Sequence, residues 1–353
     1  MGYEVTLATD VFEPETVDRI FGMGTVLKGC SHLPLPNVDP FKPNMWLRFS
    51  TVQRLLYDCT YARKVNRILK NFESDVVFST QPSIFTIKSN LVFQFVYDVI
   101  DLYSYSGSFH SSTGGRETGT RKRAYYLISW RARKALVGNP QKPKLFLALS
   151  ENLRRDLSRF GYFDSIRVYP PCRLEFEPLE KQKTVVTVCR ITPEKRLEMF
   201  VDIAKMLPGY RFYIIARDSE EQRKASPGYF ERVFADLPDN VSYLNFALKE
   251  VSAILQTSKV YLYCGNEAGV GIAVMEAAGA GCIPVAFEKS GCGEALKGLE
   301  IGYSFLTIEE AALKTRRALE DSLWNPTDIR VKAERLFGPE KFEQTIKGLV
   351  QIS

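Results

Sequence analysis

Short apolar blocks rich in β-branched and aromatic residues alternate along this chain with longer stretches whose apolar positions recur every three to four residues. The first pattern predicts strands and the second amphipathic helices. Val5 and Leu7 alternate with polar neighbours, as in a strand, and no helix or strand is read before them. Residues 46–70 carry Leu55, Leu56, Cys59, Ala62, Val65 and Leu69 at helical spacing. Strands are predicted at Asp75–Ser79, Leu91–Val96 and Lys144–Leu149, the last followed by a helix with Ser150 as its N-cap. A cleaner βα rhythm follows in the second half. Strands are predicted at Thr184–Cys189, Arg211–Ala216, Val241–Leu244, Val260–Tyr263 and Ile283–Phe287, and the stretch Ile308–Leu349 is helical by pattern. Alternation of this kind predicts an α/β protein with mostly parallel sheets. A chain of 353 residues implies two domains. The polar, proline-containing run Leu174–Lys183 marks the boundary between them.

The stretch Lys259–Ala280 (KVYLYCGNEAGVGIAVMEAAGA) organises the second half. A strand ends in a turn of Gly265 and Asn266, Glu267 and two more glycines follow, and an Ala- and Met-rich helix begins. A glycine-bearing loop between a strand end and a helix start aims backbone N–H groups at open space, which makes an anion site at the carboxyl edge of the sheet. Glu276 is the one charged side chain on that helix, and burying a carboxylate is costly unless something donates hydrogen bonds to it. RITPEKR (Arg190–Arg196) follows the first strand of this half. Thr192 reads as the N-cap and Pro193 as the first helical residue. Arg190, Lys195 and Arg196 then cluster at the helix end where the macrodipole disfavours cations. Either they are solvated surface charges, or an anion such as a diphosphate is held there. The neighbouring glycine loop favours the second reading.

Composition narrows the field only a little. The chain is 45% hydrophobic and 25% charged, with a formal net charge of +6, as in an ordinary globular protein with a mildly basic surface. It has seven scattered cysteines with no C-x-x-C pair and only two histidines, which argues against a zinc site. Free thiols without a signal peptide predict a reducing, cytoplasmic setting. No apolar run approaches the ~18 residues needed to span a bilayer. Ser104–Thr120 is rich in Ser, Gly and Thr and reads as a mobile loop. The stretch Arg121–Leu136 interleaves cations with Tyr125, Tyr126 and Trp130. It can lie on an anionic membrane surface or pack its apolar side on the domain with its cations solvated; the packed reading has the edge. A nucleic-acid binder would rest on this stretch and the net charge alone, without stacking or groove-reading motifs.

Several motifs in order resemble the donor domain of the retaining, nucleotide-sugar-dependent glycosyltransferases of the GT-B fold, family four. They are R-x-x-x-E-K-R at Arg190–Arg196, then Gly271, Ile272, Glu276, Ala277, Gly279, Gly281 and Ile283–Val285, and SGCGE at Ser290–Glu294. LSENL (Leu149–Leu153) and VYPP (Val168–Pro171) resemble segments of members that extend lipid-linked glycans with mannose. The resemblance implies two Rossmann-like domains, at residues 1–175 and 176–330, with a C-terminal helix at 331–353 packing back across their interface. It implies transfer of a hexose, with retention, from a nucleoside-diphosphate sugar such as GDP-mannose or UDP-glucose to a glycan or lipid-linked acceptor. No cofactor and no metal are implied. Arg190 and Lys195 would bind the diphosphate and stabilise the leaving group. Gly269, Val270, Gly271 and Ile272 would approach the distal phosphate, Glu276 would accept the ribose hydroxyls, and Glu267 would face the sugar. Arg217 would lie beside the base, and Tyr97, Asp98 and Asp101 on the acceptor side. The setting implied is cytoplasmic, peripheral on a membrane face.

This sequence departs from the family pattern in three places. The family's two glutamates enclose seven residues, whereas Glu267 and Glu276 enclose eight, so that Ala268 holds the expected position. A bulge in the loop, which the extra Gly269 allows, would restore Glu267. Many relatives carry a histidine where Tyr97 and Asp98 stand. Relatives also begin with a further strand, glycine-rich loop and helix, so the first strand of the N-terminal domain reads as missing, or the true start as lying upstream. These departures keep a second hypothesis open beside the enzyme, a non-catalytic descendant that binds a nucleotide sugar or a partner without turnover.

Overall fold

In the larger sheet of the second half all strands pair in parallel, and their order fixes where a ligand can sit. The computed structural model describes residues 4–9, 30–35, 60, 63–79, 91–96, 128, 131, 134–135, 143–159, 161–172, 179–220, 223, 226–245 and 248–351. They fall into two compact units. The first draws on Met1–Val77, Ser83–Val92 and Gly119–Lys142, the second on Phe78–Pro82, Phe93–Thr118 and Pro143–Ser353. In the first, β1 (Thr6–Thr9) pairs with β2 (Ser31–Pro34) in parallel, Thr6 opposite Ser31. Residues 63–69 are helical, as the apolar spacing predicts.

A four-stranded sheet runs in the order β3 (Val76–Ser79), β4 (Leu91–Val96), β5 (Leu145–Ala148), β6 (Ser165–Arg167). Its central strands, LVFQFV and LFLA, are apolar but for the buried Gln94, as in parallel sheets covered on both faces. Helix α1 (Glu151–Arg159) follows β5, and the hydroxyl of Ser150 accepts from the Leu153 N–H at 3.0 Å, the cap read from the sequence.

The larger sheet holds the βα rhythm of the second half. It contains β7 (Gln182–Val188), β8 (Arg211–Ile215), β9 (Val241–Leu244), β10 (Ser258–Tyr263), β11 (Ile283–Phe287) and β12 (Tyr303–Phe305), in the spatial order β12-β11-β10-β7-β8-β9. Helices α2 (Leu197–Lys205), α3 (Tyr229–Phe234), α4 (Leu248–Thr257), α5 (Ile272–Gly279) and α6 (Gly291–Leu299) connect them. The helical tail resolves into α7 (Ile308–Glu320), α8 (Pro326–Phe337) and α9 (Pro339–Gln351). In α9, Phe342 stacks on Phe95 of β4 with ring centroids 6.2 Å apart. The chain leaves β7 toward β8 on one side and leaves β10 toward β11 on the other. The sheet therefore reverses its order between β7 and β10, and the crevice at their carboxyl ends is the place where ligands bind in such sheets.

Tyr261 shapes that crevice. Its fully buried hydroxyl donates to the Val188 carbonyl at 2.9 Å and accepts from the Val188 N–H at 3.2 Å. A side chain of β10 thus takes both polar groups of the last residue of β7, where a neighbouring strand would otherwise pair. Tyr261→Phe strands a buried donor and a buried acceptor, which costs about 2–4 kcal/mol. A melting temperature lower by about 5–15 °C is the expected calorimetric result; an unchanged midpoint contradicts this account of the crevice.

One boundary departs from the sequence reading. Thr192 does not cap an α-helix, because Pro193–Lys195 forms a single 3-10 turn and α2 starts at Leu197 after Arg196, whose φ is 51°. The Leu197 N–H donates instead to the Tyr229 hydroxyl at 3.0 Å, and that hydroxyl donates to Glu198 Oε2 at 2.6 Å. A tertiary partner on α3 does the capping, and the Thr192 hydroxyl is buried with no partner among the described residues.

Candidate active site

Three loops emerge at the switch point. The first, after β7, carries Arg190 and Lys195; the second, after β10, carries Gly265–Gly271; the third, after β11, carries Ser290 and opens α6. The first two are joined by backbone, the Asn266 N–H donating to the Glu194 carbonyl at 3.2 Å. They are joined again by side chains. Lys195 Nζ lies 2.7 Å from Glu267 Oε1 and 2.6 Å from Oε2, with 14% and 28% of the two side chains exposed. The Tyr263 hydroxyl donates to the same carboxylate, and the lysine Nζ stands 5.5 Å above the Tyr263 ring. Arg196 lays its guanidinium over Phe287, 4.6 Å from the ring centre.

The third loop clamps the second. The Gly291 N–H donates to the Glu267 carbonyl at 2.9 Å. Cys292 Sγ accepts from the Gly271 N–H at 3.0 Å. Ser290 caps α6, its hydroxyl accepting from the Gly293 N–H at 3.0 Å and donating to the Phe287 carbonyl at 2.6 Å. Close approach explains the glycines here. A Cβ on Gly291 would stand 2.1 Å from the Ala268 carbonyl oxygen, and one on Gly293 would stand 2.0 Å from that of Phe287. One turn into α6, Glu294 accepts from the Glu151 and Asn152 N–H groups at 2.7 and 2.6 Å, capping α1 as an anion at a helix N-terminus. Burial pushes the Cys189 and Cys292 thiols around the crevice up to about 12 and raises that of Cys264 as well, which disfavours the nucleophilic thiolate.

Glu276 lies on α5, half-buried and with no hydrogen bond or ion pair among the described residues. Burial alone raises its carboxyl above the usual carboxylate range. Cys172 is near it, pushed up to about 12 first by burial and then by this carboxylate. Arg190 and Arg217 are exposed and likewise unpartnered among the described residues, Arg217 just past the end of β8. Ile272, the first residue of α5, is 53% exposed, while Val270 turns its side chain into the core. Gly269, just before Val270, and Gly271, just after it, are half-buried. The structure therefore joins Lys195 to Glu267 directly and sets Arg190 on the same loop as the lysine. It leaves Glu276 on the helix that the glycine loop opens. Tyr97, Asp98 and Asp101 lie outside the described residues, as does most of Arg121–Leu136, of which residues 128, 131, 134 and 135 are helical. Sequence reasoning missed Tyr263 as part of the site and read Gly265 only as a turn residue of the glycine loop. Their signal is the i, i+2, i+4 spacing of Tyr263, Gly265 and Glu267 at a strand exit.

Residues 174–335 match the family described as glycosyl transferases group 1. No curated protein matches the chain. Among solved structures, it is similar to TarM, with 15% identity and a TM-score of 0.59 over 84% of this chain and 58% of that one. The chain thus spans less than two thirds of the TarM chain. Sucrose-phosphate synthase from Thermosynechococcus elongatus aligns at a TM-score of 0.66 and 13% identity, covering 99% of this chain and 89% of that one. HepE from Anabaena, solved in complex with UDP, aligns at 0.60 and 12% identity, covering 99% of this chain and 100% of that one. The fold is the α/β architecture of parallel sheets that these structures share.

Proposed function

We propose that this protein, whose residues 174–335 match the family described as glycosyl transferases group 1, transfers a hexose from a nucleoside-diphosphate sugar to a glycan or lipid-linked acceptor, with retention. The observation that carries the proposal is Glu276, a half-buried carboxylate with no donor among the described residues, on a helix opened by a glycine loop. Such a group asks for a ligand that brings hydroxyl donors, because leaving it bare is costly. The cations Arg190 and Lys195 at the neighbouring loop ask for an anion. A ribose followed by a diphosphate answers both. The two cations would then stabilise the charge that grows on the departing nucleoside diphosphate, and this needs no metal ion. Glu267 would face the transferred sugar from the mouth of the crevice. The UDP in the Anabaena HepE structure supports this class of donor. Mannose as the sugar, and a peripheral position on a membrane through Arg121–Leu136, follow from the sequence resemblance.

Calorimetric titration with UDP, GDP, GDP-mannose and UDP-glucose, in buffer containing a chelator, tests the reading. Binding of at least one of them is expected. Glu276→Ala should weaken it by about 2–3 kcal/mol, roughly 30- to 150-fold, through loss of two charge-assisted hydrogen bonds. Inorganic pyrophosphate, which lacks a ribose, should bind both proteins alike. Failure of every nucleotide to bind would sink the proposal. Turnover with a glycan acceptor, and the anomeric configuration of the product by NMR, separate the enzyme from a non-catalytic binder. The observation on the binder's side is that Lys195 already has a counter-ion in Glu267.

A further inference from the structure

Two anchors of different kinds hold the Glu267 carboxylate. Lys195 reaches it from the loop after β7, at 2.7 and 2.6 Å. The Tyr263 hydroxyl reaches it from the root of its own loop. Gly265 is the space that makes the second contact: a Cβ there would stand 2.6 Å from the Tyr263 hydroxyl oxygen and 3.1 Å from Glu267 Oε2. The backbone of Glu267 is fixed as well, since its carbonyl accepts from the Gly291 N–H at 2.9 Å. The residue is therefore set in place whatever Lys195 does. An arriving polyphosphate competes for the ammonium with more charge than a carboxylate carries. It competes poorly for a buried phenol at the strand end.

We propose that Glu267 is a built-in counter-ion that a nucleoside diphosphate displaces from Lys195, and that Tyr263 is the positioning residue that keeps the displaced carboxylate beside the donor. This rests on the reading that the crevice takes a nucleoside diphosphate. The exchange makes and breaks no covalent bond. Lysine changes one anionic partner for another, and the carboxylate keeps its phenol. Such a counter-ion holds the ammonium folded toward the crevice at 14% exposure, and it weakens binding of the nucleotide product, which favours release.

The test is titration of the full chain with UDP and GDP. Glu267→Gln and Glu267→Ala should both bind the nucleotide about three- to tenfold more tightly than the parent, since the competing charge is gone. Tyr263→Phe should bind it about threefold more weakly, because the carboxylate then depends on Lys195 alone. That loss should vanish when Tyr263→Phe is placed on Glu267→Gln. A merely structural role of the phenol would weaken binding equally in both backgrounds, and that result overturns the inference. So does nucleotide affinity in Glu267→Gln and Glu267→Ala no higher than the parent's. If parent and variants all bind neither nucleotide, the donor-site reading falls and this inference with it. If the parent binds and the Glu267 variants bind no better, only this inference falls.

Discussion

Lys195→Ala is expected to weaken binding of the nucleoside diphosphate by about a hundredfold to a thousandfold and to lower transfer by at least as much. Two effects add. The ligand loses a charge-assisted hydrogen bond, which contributes about 1.5–3 kcal/mol. Glu267, released from its partner, then presents its charge to the arriving phosphates. At about 5 Å and an effective dielectric constant near 20, that repulsion is roughly 3 kcal/mol before screening by salt. The turnover loss should match or exceed the binding loss, because the leaving group gains charge in the transition state. The folded protein should hardly notice, since a partly exposed ion pair contributes about 0–1 kcal/mol to stability. A near-native melting temperature with a collapsed nucleotide affinity is therefore the signature. Restoring part of the affinity, roughly tenfold, by adding Glu267→Gln identifies repulsion as one of the two causes. Wild-type affinity in Lys195→Ala would remove the crevice from consideration as a diphosphate site.

Much of the fold was legible because it is carried by local period. The strands predicted at Thr184–Cys189 and Ile283–Phe287 occur as β7 and β11. The start of α2 was not legible, because its first N–H is capped by Tyr229, a residue 32 positions away that no local pattern links to it. The candidate site divides in the same manner. Arg190, Lys195 and Glu276 could be named from charge placed where charge is costly. The partner of Lys195 could not, because the spacing to Glu276 pointed to Ala268 rather than Glu267. In the structure Ala268 is buried and Glu267 reaches the lysine. That choice is made by the path of the loop, which the Asn266–Glu194 and Gly291–Glu267 backbone bonds set from outside the segment. Tyr263 was hidden for a related reason. An aromatic residue ending a strand ordinarily reads as core, and its ring is core here; only the hydroxyl belongs to the site.

Gly291→Ala should do as much damage to turnover as losing a charged residue, although Gly291 need not touch a ligand. The added Cβ would stand 2.1 Å from the Ala268 carbonyl oxygen and 2.7 Å from the Gly269 carbonyl carbon. Both are backbone atoms, so no side chain can rotate away, and either the glycine loop or the first turn of α6 must move. Either movement pulls on the Gly291–Glu267 bond, and with it on the register of the carboxylate against Lys195. A displacement of about 1 Å at a reacting group costs on the order of a hundredfold in rate. Gly271→Ala is the informative comparison. It sits in the glycine loop itself, yet its Cβ would meet nothing nearer than Cys292 Sγ at 3.5 Å, an ordinary contact, and its φ of −73° suits any residue. Its stability should stay within about 0.5 kcal/mol of the parent's. The glycine loop is thus held by what presses on it from α6, more than by the freedom of its own glycines. Equal melting temperatures and equal nucleotide affinities for the two variants would contradict that ordering.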